Sequence, residues 1–192
     1  AHVDAYNLSL TGAFTLNGAF NTATGNVQGG SVLNFVGGTH DFGTRLGVAH
    51  FGAGGTIRVT GSGATIAMGQ TANMNGATFD YIFDSVGVSS LDFESYVQGG
   101  TKPGLLSVDG SSYTGGSGEF TLITAGGATA LIAEITNTTV SGFSALDYTT
   151  AITQDLVTNR VYLTVTAVPE PSTYALLAGC FALTSIMVRR RR

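Results

Sequence analysis

Disulfides are the first thing this sequence lacks. Its single cysteine, Cys180, falls in an apolar C-terminal run, so the remainder can build neither a disulfide framework nor a thiolate metal site. Charge is scarce too: 10% of the residues are Asp, Glu, Lys or Arg, and Trp is absent. Arg45, Arg58, Lys102 and Arg160 are the only cations before Arg189. They face all 12 acidic residues, which leaves that portion at −8. Nucleic-acid affinity needs clustered Lys and Arg on phosphates, so a nucleic-acid partner is excluded. Sustained helical periodicity is missing before Thr173. The chain opens Ala1-His2-Val3, with neither a charged n-region nor an apolar h-region. Given the apolar tail, the expectation is an export signal already removed, with Ala1 near the mature start.

What is present is β-forming. Low charge with positive mean hydropathy argues against disorder. Thr, Val, Ile and Phe interrupted by 28 glycines suit many short strands and tight turns. In Asn7-Leu8-Ser9-Leu10 both leucines fall on one strand face. Ser31–Val36, Leu46–Phe51, Thr56–Thr60 and Ala64–Met68 follow as strand candidates, with Gly-Gly pairs at 29–30, 37–38 and 54–55 as turns. Thr78–Asp84 alternates most strongly: Phe79, Tyr81 and Phe83 share one face, Asp80, Ile82 and Asp84 the other. Leu91–Val97, Leu105–Asp109, Phe120–Thr124, Ala130–Ile135, Leu146–Ile152 and Arg160–Thr166 complete the series. No fixed repeat length emerges. The predicted fold is an all-β body over residues 1–166, parallel β-helix-like, with a β-sandwich as the alternative. A tail over 167–192 follows.

The tail reads Val168-Pro169-Glu170-Pro171-Ser172, an uncharged run from Thr173 to Val188, then Arg189-Arg190-Arg191-Arg192. The prolines enforce a stiff, extended stretch, the shape a processing enzyme binds, and Ser172 or Thr173 suits a helix N-cap. The run is predicted to be a single transmembrane helix at about 173–188. Its sixteen residues rise about 24 Å, short of the roughly 30 Å hydrocarbon core. The arginines would hold their end in the cytoplasm and the body outside.

This three-part order, on the last 25 residues, resembles the PEP-CTERM sorting signal of Gram-negative bacteria. The resemblance implies export, transient anchoring in the inner membrane, and processing by an exosortase that recognises Pro169, Glu170 and Pro171. It further implies a cell-surface or extracellular-matrix destination in exopolysaccharide-producing, biofilm-forming bacteria. More loosely, Gly55–Ile66 and Phe120–Thr124 are similar to Gly/Thr-rich autotransporter-like strand regions.

Rival chemistries are thin. Asp92 and Glu94 would share a strand face about 7 Å apart, within the roughly 6.5–9.5 Å used by inverting glycosidases. A glycan hydrolase or lyase is therefore one alternative and a carbohydrate-binding module another. Asp80 and Asp84, about 13 Å apart, read as surface charges. His40-Asp41 and His50 could approach one another across neighbouring strands, but a metal site would need a third ligand and a catalytic triad a nucleophile elbow, so the two histidines read as surface residues. Calcium at Asp109 finds no Asp-rich repeat. The expectation is a non-enzymatic structural or adhesive protein without cofactor or metal, contacting exopolysaccharide and able to self-associate.

Overall fold

Alternation dictates the strands, and glycine dictates where they bend. The computed structural model describes residues 2–5, 8–10, 12–22, 25–27, 30–42, 48–51, 54–73, 76–96, 104–126, 135–143, 148–168 and 171–190. The first strands are β1 (His2–Ala5), β2 (Leu8–Leu10), β3 (Ala13–Asn17), β4 (Ala19–Thr22), β5 (Gly25–Val27), β6 (Val32–Asp41), β7 (Val48–Phe51) and β8 (Thr56–Thr60). Then come β9 (Ala64–Asn73), β10 (Thr78–Ile82), β11 (Leu91–Tyr96), β12 (Gly104–Asp109), β13 (Gly118–Ala125), β14 (Ile135–Ser141), β15 (Tyr148–Asp155) and β16 (Arg160–Ala167). Among the described residues one helix, α1 (Pro171–Arg190), follows. The expected strand at Ala130–Ile135 lies outside the described residues apart from Ile135.

The chain winds. β3, the first half of β6, β8, β10, β12 and β14 form one parallel ladder, each strand beside its counterpart in the next turn. Register pairs Ala13↔Val32, Val32↔Thr56, Thr56↔Thr78, Thr78↔Leu105 and Leu105↔Asn137 put successive turns 19, 24, 22, 27 and 32 residues apart. That irregularity is why no repeat length is visible in the sequence. A second parallel ladder runs through β1, β4, the second half of β6, β9, β11 and β13. A third runs through β2, β5, β7 and the end of β9. A sandwich of hairpins would be antiparallel, yet the antiparallel pairs described are only β13–β16 and β16–β15. These two close off the winding. The sheet order starts at β14 and ends at β15, and Gln154 Nε2 bridges those two strands by donating to Ile135 O at 2.5 Å.

Inside the winding, apolar side chains stack rung on rung. Leu33, Ile57, Phe79 and Leu106 form one buried column, and Phe35, Val59, Tyr81 and Val108 its neighbour. Tyr81 keeps its hydroxyl satisfied by donating to Leu122 O at 2.7 Å. Phe83, one residue past the end of β10 and buried in step with Phe79 and Tyr81, packs edge-on against Phe120 and Phe143 at 5.1 and 5.2 Å. The corners before the first ladder hold Gly12, Gly30, Gly54 and Gly76, all at positive φ. At Gly38 the reason is steric as well: a Cβ there would stand 2.4 Å from Gly18 O.

His40 departs from the expectation of a surface histidine. It sits in the inward column of the second ladder, beside Ile66 in register, and is 0% exposed. Nε2 lies 2.7 Å from Gly37 O and therefore carries the proton, while Nδ1 meets no hydrogen-bond partner among the described residues. Burial lowers its pKa and the Gly37 bond opposes this, with burial dominant.

Candidate functional site

The site is the junction between β16 and α1, built from the strand outward. Val161, Leu163 and Val165 anchor β16 in the core, after which Thr166, Ala167 and Val168 are exposed, Val168 at 43%. The last strand residue is still held. Ala167 pairs in register with Tyr148, and its N–H donates to Ser117 Oγ at 2.8 Å. The Tyr148 hydroxyl in turn donates to Gly115 O, tying β15 to the same loop. Pro169, Glu170, Arg191 and Arg192 lie outside the described residues, as does the side chain of Ser172.

The helix starts earlier than the expected N-cap at Ser172 or Thr173. Pro171 is its first residue, where a fixed φ and a missing N–H suit a helix entrance. Arg189 and Arg190 occupy its last turn, favourable beside unpaired carbonyls. From Ala175 to Arg190 every residue is exposed, including Leu176 at 71% and Phe181 at 69%. Apolar side chains thus stand exposed around the helix, among the described residues, from Leu176 to Val188. Thr184 hides its hydroxyl by donating to Cys180 O at 2.5 Å, one turn back.

The expected transmembrane helix gains no support. Among the described residues no helix is long and apolar enough to cross a membrane. The physical reason is length: α1 reaches twenty residues, about 30 Å, only by adding Pro171, Ser172 and two arginines to the run from Thr173 to Val188. Its uncharged stretch, Pro171 to Val188, rises about 27 Å, still short of the roughly 30 Å hydrocarbon core.

The rival residues fall as follows. Asp92 and Glu94 do share the outer face of β11, with Phe93 buried between them. They line a shallow hollow of about 300 Å³ with Asp41, Ala67, Gly69 and Gly126. The sequence reading missed Asp41 here; the register Asp41↔Ala67↔Asp92 brings it in from two turns away. Asp92 Oδ1 accepts the Thr124 hydroxyl at 2.6 Å. Among the described residues lining the hollow, the charged groups are the carboxylates of Asp41, Asp92 and Glu94.

Asp80 and Asp84 are structural, each in its own way. Asp80 pairs across the ladder with Arg58 at 2.7 Å. Asp84 clamps a corner, accepting Ser62 N and Oγ at 2.7 and 2.8 Å and the N–H groups of Val86 and Gly87 at 2.8 Å. Partial burial would raise its pKa, but these donors outweigh that and hold it at about 2. Asp109 accepts Ser111 N at 2.9 Å in its turn. Among the described residues no group of three or more His, Cys, Asp or Glu is placed to hold a metal. The side chain of His50 lies outside those described.

Comparison with known proteins bears on the tail. Residues 167–192 match a family model described as the PEP-CTERM protein-sorting motif. No curated protein and no solved structure matches the chain. The tail is therefore a sorting motif of the kind recognised by an exosortase, and it marks the chain for export to the cell surface. The autotransporter-like likeness of the body finds no support in these comparisons.

Proposed function

We propose that the chain is a non-enzymatic surface or matrix protein whose body, a parallel β-helix, is displayed outside the cell after exosortase processing of its tail. The observation that carries this is the matched motif, which begins where the last strand ends. The exposed apolar helix supports a transient hold in the inner membrane: burying its side chains in lipid stabilises them, and the arginines reach the cytoplasmic interface. A helix this short retains the protein only weakly, which suits an intermediate.

The body contributes a polar outer surface. Asn34, Arg58, Asp80, Ser107 and Thr139 form one continuous outward row across five turns. Such a row of hydroxyl, amide and charged groups suits contact with a hydroxyl-rich exopolysaccharide, which gives the protein a structural or adhesive role in a biofilm matrix. Self-association would extend that role.

Replacing Pro169-Glu170-Pro171 with alanines should leave the chain in the inner membrane with its tail intact. Processed protein at the surface of those cells would refute the reading. The hollow holding Asp41, Asp92 and Glu94 favours one second reading, a glycan hydrolase or lyase. That reading predicts glycan cleavage that Asp92→Asn abolishes; no cleavage, or full activity in the variant, rules it out.

A further inference from the structure

We infer that the folded end of the body restrains processing of the tail, because the first residue of the sorting motif is held inside strand β16. The inference rests on the sorting reading above. Ala167 is both the last residue of β16 and the first residue of the matched motif. It is held from two directions: Tyr148 and Thr149 of β15 pair with Ala167 and Thr166, and Ser117 Oγ accepts the Ala167 N–H. Downstream, α1 begins at Pro171. Four Cα steps, about 14 Å at full extension, link the last strand residue to the first helical one.

An enzyme that takes chain in extended form engages its backbone N–H and C=O groups. Upstream of Val168 those groups are committed to β15 and Ser117, and from Pro171 onward they enter the helix. A cleft longer than the three intervening residues must therefore draw chain out of one element or the other. The end of β16 is the weaker. Thr166, Ala167 and Val168 are exposed, and the last core anchor is Val165, 1% exposed. Opening those residues breaks hydrogen bonds without uncovering a core side chain, the kind of local fraying that has a low free energy. The rate of tail loss then follows the fraction of molecules in which this end is open. The loop carrying Ser117 sets that fraction.

The test is a pulse–chase measurement of tail loss, using the full chain in an exosortase-bearing host. Wild type is compared with Ser117→Ala and with a chain carrying about eight Gly/Ser residues between Ala167 and Val168, an insert spanning roughly 15 Å. Removing the Ser117 bond should speed tail loss on the order of fivefold, the population change matching the net worth of one hydrogen bond. The insert should speed it at least as much. Wild-type rates in both chains would overturn the inference. Pro169-Glu170-Pro171→Ala in the insert background must abolish the acceleration; acceleration that survives there overturns it too. The same alanine replacement in the uninserted chain tests the sorting reading separately, since tail loss there defeats that reading whatever the insert does.

Discussion

Asp84→Asn separates a structural carboxylate from a surface one. The wild-type carboxylate accepts four donors at one corner and stays ionised down to about pH 2. Asparagine keeps the size and one acceptor oxygen but loses the charge and cannot accept all four donors. A pKa depressed from the ordinary aspartate range to about 2 corresponds to at most about 2.5 kcal/mol. Because the group is partly open to water, the discounted figure is roughly 1–2 kcal/mol. The sign follows from the depression. This stability is fully present above the unfolded-state pKa, near 4, and is lost as pH falls through the folded value near 2. Urea unfolding of the full chain in mild detergent at a series of pH values reads it directly. Asp84→Asn should be less stable by about 1–2 kcal/mol at neutral pH, and the gap should close between about pH 4 and pH 2. A gap that stays constant from pH 7 to pH 2, or no gap at pH 7, would refute the reasoning.

Two further outcomes follow from the core. His40 has a lowered folded pKa, so its neutral form is favoured and stability is lost as pH falls below about 6.5. His40→Phe should flatten the pH dependence of thermal unfolding in that window, and an unchanged slope would exclude His40 as the cause. Phe79→Ala removes a fully buried ring packed 6.1 Å from Phe93 in the middle of its column, and should cost about 3–5 kcal/mol in urea unfolding. A loss below about 1 kcal/mol would mean the column is not the core.

The strands were legible because alternation is local. Phe79, Tyr81 and Phe83 read as one face and are all buried; Asp80, Ile82 and Asp84 read as the other and are only partly covered. His40 was not legible, because the inward parity changes at a corner. Leu33, Phe35 and Gly37 point inward, and after Gly38 turns at positive φ the inward positions become His40 and Phe42. Continuing the earlier parity would have buried Thr39 and Asp41 instead. Pairing partners 19 to 32 residues apart leave no local mark either, which kept β-helix and sandwich both open and hid Asp41 from the Asp92 hollow. The tail was the most legible part, since proline stiffness, an apolar run and terminal arginines are properties of contiguous residues. The span within it gains no support: the rise of the uncharged run falls short of the hydrocarbon thickness, and among the described residues no helix is long and apolar enough to cross a membrane.

The most direct test of the sorting account is the intact mass of the protein recovered from the surface of the cells that make it. The account predicts a chain whose sequence ends near Val168–Ser172, lacking the apolar helix and the arginines. Surface protein that still carries every residue through Arg192 would contradict it.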